Sequence, residues 1–570
     1  MTSWGAVKIA QDRYRFRLWA PALSSVALEI LGREPVDMDR LDDGWFAAEC
    51  AARAGERYRF WVTPDIAVPD PAARAQAEDV HGASLLIDPD DYEWQATGWR
   101  GRPWNEAVVY ELHAGLLGGF AGIKGELDRL ADLGVAAIEL MPVAEFPGMR
   151  SWGYDGVLPF APAKAYGTPN DLKSLIDAAH ERRLMVFLDV VYNHFGPEGN
   201  YIGTYAPDFF HPERHTPWGA AIAFDREPVR RFFIENALMW LDEYRLDGLR
   251  LDAVHAIDDA GFLEAMGAEV RERVGSERHV HLILENEHND PDPMAAGYTA
   301  QWNDDFHNTL HVLLTGETGA YYEDFAEEPM QKLARCLREG FVYQGEASPR
   351  TDTPRGRTSG HLPPTAFVSF LQNHDQIGNR ALGERLTLLT SRDELQAATV
   401  LLLLSPQIPL VFMGDEVGAR SPFLYFTDFH DALAQAVREG RRKEFAGFPA
   451  FENAGAREAI PDPNAVETFE HSRIVPGPDA AQWTAFYKDL LAIRNTRIAP
   501  RLKGARAISA DVVADKAVLA RWRLDGGAEL SILLNLGYEP VPAAPDEPLY
   551  CFRTPGAAHS CSVWLREKEA

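Results

Sequence analysis

Residues 248–255 read Gly-Leu-Arg-Leu-Asp-Ala-Val-His. An arginine and an aspartate stand two apart in an apolar run. On a β-strand, Arg250 and Asp252 would share one face, and Leu249 and Leu251 the other. Such a pair is either a structural ion pair or a nucleophilic carboxylate held ionised by its neighbour. Three more apolar runs end in polar residues: Asp189, Asn193 and His194 in DVVYNH, Glu285 and Glu287 in ENE, and His374 and Asp375 in QNHDQ. Any one alone reads as a satisfied core residue or a cap. Together they fit glycoside hydrolysis, which needs one carboxyl as acid and another as nucleophile or base. Arg250 would keep Asp252 ionised, and a water-poor position would keep the acid protonated. Two histidines could bind sugar hydroxyls, and Asp375 could tighten its grip in the flattened, cation-like state. Glu285 and Glu287 fall on the same strand face, so alternation does not choose between them.

These groups need a scaffold that brings several strand ends together. From residue 101 onward, strand-like runs alternate with helical ones. The strand candidates are AVVYELHAG, VAAIELMPV, LMVFLDVVYNH, LDGLRLDAVH, HVHLILENE, YTAQWNDDFH, TAFVSFLQNHD and IPLVFMGDE. Thr168 before Pro169 and Asp171 signals a helix start, and Ser391 with Glu394 forms a capping box. Eight strands alternating with helices predict a (β/α)8 TIM barrel over residues 101–497, with catalytic groups at the carboxyl ends of its strands. Short alternating segments over residues 1–100, such as YRFRLWAP and RYRFWVTP, predict an N-terminal β-sandwich, and residues 498–570 a C-terminal β-sandwich. The expected architecture is therefore multidomain.

Bulk composition excludes other classes. The 570 residues carry 85 acidic and 56 basic side chains, a formal charge of −29, which repels nucleic acid. Cys50, Cys336, Cys551 and Cys561 are scattered without CxxC spacing, which speaks against a disulfide framework or a zinc site. The first residues lack a basic-then-apolar leader and no run is long enough to span a bilayer, so a cytoplasmic protein without a membrane partner is expected. No cofactor and no required metal are expected, because clustered His and Cys ligands are absent.

The four polar strand ends resemble the conserved regions of the α-amylase superfamily, the family 13 glycoside hydrolases. The resemblance implies Asp252 as nucleophile, Asp375 as transition-state stabiliser, and Arg250, His194 and His374 around subsite −1. It puts His255 on the acceptor side and makes Tyr154, in SWGYDGV, the platform under the −1 sugar. It implies retention of anomeric configuration through a covalent glycosyl-enzyme. The order of ENEHND places the acid at Glu285, with Glu287 as runner-up. Asn193 joins the substrate-binding set, although with Asp189 it also matches a calcium-site region of some amylases.

Longer stretches, among them HTPWGAAIAFD, YTAQWNDDFHNTLHVLLTGE and PDPNAVETFEHSR, resemble the branch of that superfamily that acts on maltooligosyltrehaloses. That implies an oligosaccharide substrate, cleaved at the α-1,4 bond next to its terminal trehalose. It puts Trp218, Asp304, Asp305 and Phe306 in a trehalose-side pocket, and Glu416 at the cleft mouth. Two stretches depart from the pattern: YELHAGLLGGFAGI after the first strand, and MGDE, where Asp415 replaces the commoner glutamate. The alternatives are a glycogen branching enzyme, with the same scaffold and triad, and a non-catalytic glucan-binding barrel.

Overall fold

The computed structural model describes residues 3–567 apart from residues 217, 258, 276 and 448. Eight parallel strands close into a barrel: β1 (Val109–Leu112), β2 (Ala137–Leu140), β3 (Met185–Val190), β4 (Gly248–Leu251), β5 (His281–Leu284), β6 (Ala300–Trp302), β7 (Phe367–Ser369) and β8 (Ile408–Phe412). Closure runs from β8 to β1, with Val109 opposite Leu410. Each strand lies within one of the eight expected runs.

The strands are buried on both faces, which is why they read as apolar runs rather than alternating ones. Inward-facing Val109, Ala137, Phe187, Ile283, Trp302, Val368 and Leu410 fill the barrel's lower layers. Outward-facing residues pack on surrounding helices, including α1 (Gly119–Leu133), α2 (Pro169–Glu181), α3 (Asp304–Thr315) and α4 (Arg392–Leu404). The capping signals act as expected. Thr168 and Asp171 form a reciprocal capping box on α2, and the Ser391 side chain accepts from Glu394 N on α4.

Two antiparallel sheets precede the barrel. Arg13–Trp19 buries Tyr14, Phe16 and Leu18, while Arg57–Thr63 buries Tyr58, Phe60 and Val62. The Phe16 and Tyr58 rings meet edge to face between the sheets, 5.0 Å apart.

The C-terminal region differs from the expected sandwich. It is a single five-stranded antiparallel sheet: Arg506–Ala514, Ala517–Arg523, Glu529–Asn535, Ser560–Arg566 and Tyr550–Phe552 in spatial order. The helix Pro329–Glu339 and α4 cover its inner face, and Trp522 Nε1 donates to Leu337 O at 3.2 Å. Helices supply the apolar cover that a second sheet would give. Among the described residues, no helix is long and apolar enough to cross a membrane.

Candidate active site

Above the apolar layers, the barrel interior turns charged. Glu111, Glu139, Asp189 and Arg250 are all almost fully buried. Arg250 is the hub. Its Nη1 donates to both Asp189 oxygens (2.9 and 2.8 Å) and to Asp252 Oδ1 (2.7 Å). Its guanidinium lies 4.1 Å over the Trp302 ring, which fixes its plane. Asp252 follows β4 directly, and Asn193 Nδ2 reaches its other oxygen at 3.3 Å. Asn193 Oδ1 lies 2.5 Å from His194 Nδ1, and His194 Nε2 lies 3.0 Å from Tyr154 O.

Glu285 directly follows β5. The only hydrogen bond its carboxylate makes to the described residues comes from Ala253 N, at 2.6 Å. That N–H points at Glu285 because Ala253 adopts φ +42°, a left-handed conformation uncommon for alanine. Burial raises the Glu285 pKa well above the usual carboxyl range; Arg250 opposes this, and Asp252, Asp304 and Asp375 reinforce it. Arg250 Nη2 stands 3.8 Å from Glu285 Oε2 and hydrogen-bonds to nothing else described. Because β5 ends at Leu284, Glu285 and Glu287 do not share a strand face after all. The Glu285 side chain is 15% exposed and that of Glu287 60%. Burial therefore separates two residues that alternation could not.

His374 and Asp375 lie beyond β7 rather than on it. They open the short helix His374–Gly378, where Asn373 Oδ1 accepts from Asp375 N and Gln376 N. Glu111 accepts from His374 N (3.1 Å) and pairs with His374 Nδ1 (2.5 Å). Burial works against the imidazolium, but Glu111 and then Asp375 outweigh it and push its pKa up to about 9. Tyr154 stacks on this ring at 5.1 Å, lies 2.8 Å from its Nε2, and donates to Asp189 Oδ2 at 2.5 Å. Asp375 is half exposed toward the cleft, and its Oδ1 accepts from Asn379 Nδ2 at 3.2 Å.

A cavity of about 740 Å³ opens beside Glu285, lined among others by Asp304, Tyr321, Arg355 and Asp375. Asp304 accepts from Gln376 Nε2, and burial, reinforced by Asp375, pushes its pKa up to about 6. His255 sits near Glu287 (3.9 Å) and beside the His288 ring. Trp218 is 46% exposed and stacks on His194 at 5.4 Å, so it stands on the His194 flank and not in the wall that holds Asp304.

Three further residues differ from expectation. Asp305 is fully buried and faces away from the cavity. It accepts from Arg355 (2.9 Å), Asn289 Nδ2 (2.8 Å) and Val342 N (2.8 Å), so it positions Arg355. Adjacent positions on α3 diverge by about 100°, which sends Asp304 and Asp305 to different surroundings. Phe306 is likewise buried in the core. Glu416 is not at the cleft mouth. It is 1% exposed and accepts from Tyr110 OH (2.9 Å), Arg129 Nη1 (2.8 Å) and Gly414 N (3.0 Å), tying α1 to the barrel wall.

Sequence reasoning passed over Glu111, Glu139 and Arg355. The first two had a visible signal: a carboxyl within an apolar run, in VVYELHAG and AAIELMPV. Arg355 had none, because it comes from the loop between the helix Pro329–Glu339 and β7.

Comparison with known proteins adds to this geometry. The family model described as "Alpha amylase, catalytic domain" matches residues 88–217, and one described as a domain of unknown function, DUF3459, matches residues 505–560. Malto-oligosyltrehalose trehalohydrolase from Saccharolobus solfataricus is 40% identical over 510 residues, 85% of this chain and 86% of that protein. The protein of the same name from Rhizobium sp. strain M-11 is 39% identical, over 94% and 93% of the two chains. A 1,4-alpha-glucan branching enzyme from Pseudoalteromonas atlantica is 30% identical, but over only 42% of this chain. The crystal structure of a putative alpha amylase from Salmonella typhimurium superposes with TM-score 0.94 at 46% identity over the whole of both chains. A pullulanase from Anoxybacillus sp. shares the fold at TM-score 0.71 and 17% identity, over 99% and 87% of the two chains.

Proposed function

This chain belongs to the malto-oligosyltrehalose trehalohydrolase family and carries the α-amylase catalytic domain, and from that premise we propose that it hydrolyses the α-1,4 bond next to the terminal trehalose of a maltooligosyltrehalose. The products are trehalose and a shortened malto-oligosaccharide. One observation carries the reading. Three carboxyls surround the Arg250 guanidinium: Asp189 and Asp252 accept from it, and Glu285 has no hydrogen-bonded cation among the described residues. This split supports Asp252 as the nucleophile and Glu285, whose pKa burial raises, as the acid.

The steps follow from these contacts. Asp252 attacks C1 of the glucose at subsite −1 as the bond from C1 to the trehalose O4 breaks. Glu285 gives its proton to that oxygen, and trehalose leaves. Glu285 then takes a proton from water as the water attacks C1, which frees Asp252 and releases the sugar with its configuration retained. Negative charge thus moves from Asp252 to Glu285 and back. Arg250, with Nη1 on Asp252 and Nη2 at 3.8 Å from Glu285, sits where it can follow that charge. Asp375 faces the sugar ring as stabiliser, with Tyr154, Asn193, His194 and His374 around it.

The acid must lie beside the leaving oxygen, so the cavity next to Glu285 receives trehalose. Asp304 and Arg355 present it with polar atoms, and Tyr321 with a ring face. His255 and Trp218 lie farther out as acceptor-side and rim contacts.

Product analysis tests the reading. Purified protein given maltotriosyltrehalose should release trehalose and maltotriose, with little action on maltopentaose or amylose. New α-1,6 branches in amylose, with little trehalose, would replace it with the branching reaction.

A further inference from the structure

At the amino end of the barrel, opposite Asp252 and Glu285, lies a second recess of about 250 Å³. Three arginines line it. Arg245 stands just before β4 and Arg278 just before β5, while Arg100 O accepts from His279 N at 2.7 Å on the same side. Their partners within the protein are neutral. Arg100 Nη1 donates to the carbonyls of Thr97 (3.3 Å) and Trp99 (2.9 Å), and Arg278 to those of Leu241 (2.7 Å) and Leu246 (2.9 Å). Arg245 lies over the Trp94 ring at 4.5 Å and donates no hydrogen bond to the described residues.

The nearby acids are engaged elsewhere. Asp242, on the rim, pairs with Arg273 at 2.6 Å. Asp177 accepts from Tyr92 OH, Gln95 N and Ala96 N. Asp247, beneath the floor, accepts from Trp99 Nε1 (2.7 Å), His180 Nε2 (2.9 Å) and Val186 N (2.9 Å). Those bonds also hold the floor rigid, with the Trp99 and His180 rings stacked at 4.9 Å. Burial lowers the Arg245 pKa and the charge of Arg278 lowers it further, with Asp177 opposing and Arg100 adding. Three like charges converge here in a chain whose formal charge is −29.

We propose that this recess binds a phosphate group, free or carried on a small sugar, at a site separate from the catalytic cleft. The geometry of guanidinium groups matches phosphate oxygens in paired hydrogen bonds, and the recess has the size for one phosphorylated metabolite. A bound dianion offsets the mutual repulsion of the three arginines. The surrounding negative surface disfavours loose anion binding, so occupancy reflects the built cluster.

Isothermal titration of the full-length protein tests this, with inorganic phosphate and glucose 6-phosphate as probes and glucose as the neutral control. One-to-one saturable binding of at least one phosphate probe, and none of glucose, is expected. Preference between the two probes tells free phosphate from a phosphorylated sugar. Arg245→Gln and, separately, the exposed Arg100→Gln should weaken binding by about tenfold or more while trehalose release is unchanged. No saturable binding of either probe would overturn the proposal, as would equal binding by both variants. Binding is read without turnover, so its failure is distinct from failure of the catalytic reading.

Discussion

Two flanks of the same barrel rim hold two carboxyls each and treat them in opposite ways. On the β3–β4 flank, Asp189 and Asp252 converge on Arg250, with Asn193 and Tyr154 completing their bonds. On the β5–β6 flank, the Glu285 and Asp304 carboxyls find, among the described residues, only a backbone N–H and an amide as donors. Both flanks are polar positions at the ends of apolar strands, and only the β4 run, with Arg250 two residues before Asp252, carries a sequence hint of the contrast. The difference lies in who shares the cation, and it bears on the two carboxyls nearest the cleft: Asp252 accepts from Arg250 while burial raises Glu285 well above the usual carboxyl range. Asp189, deeper in the barrel, is raised to about 6 by burial even though Arg250 pairs with it.

The sharpest way to break this contrast is on the paired side. Asp252→Asn is nearly isosteric and should cut kcat by about a thousandfold or more, with thermal melting close to wild type. Near-normal turnover in that variant would end its role as nucleophile. On the unpaired side, Glu285→Gln should cost about 10² to 10⁴ in kcat, while Glu287→Gln, at the exposed position, changes it little. The reverse ranking would move the acid to Glu287.

A pH profile sharpens the contrast further. Glu285 acts protonated and its pKa is raised, so activity should fall on the alkaline side as pH rises through that value. Asp304 contributes to the raising, so Asp304→Asn should move the alkaline limb to lower pH. A limb that stays fixed would mean the two carboxyls are not coupled.

The smallest expected effect is on stability. His374 is raised from an ordinary 6.5 to about 9 by Glu111 and Asp375 against the cost of burial. A raised folded-state value stabilises fully below about 6.5 and loses that contribution as pH climbs through about 9. Wild-type melting temperature should drop across that window, and Glu111→Gln should flatten the drop by removing the main partner.

The barrel was legible because each strand is an uninterrupted apolar run closed by a polar residue, and eight such runs leave few architectures. Arg250 and Asp252 were legible for the same reason. What the sequence could not reveal depended on rotation and distant contacts. Asp304 and Asp305 are neighbours in the chain, yet one lines a cavity and the other is locked onto Arg355 from a loop fifty residues away. Glu416 looked like a cleft residue from its place after β8, but Arg129 on α1 draws it into the wall. Strand alternation could not choose between Glu285 and Glu287, because the strand stops at Leu284, short of both glutamates that the candidate run included. The C-terminal sheet looked like half of a sandwich because a strand pattern records a buried face without saying what buries it.

The central claim is that Asp252 forms the covalent bond and Glu285 only moves protons. The most direct measurement is to trap the intermediate with a 5-fluoro malto-oligosyl fluoride and locate the sugar by peptide mass spectrometry. The label should fall on Asp252, with Glu285 unmodified. A label on Glu285, Glu287 or Asp375, or release of the inverted anomer without any trapped species, would contradict that claim.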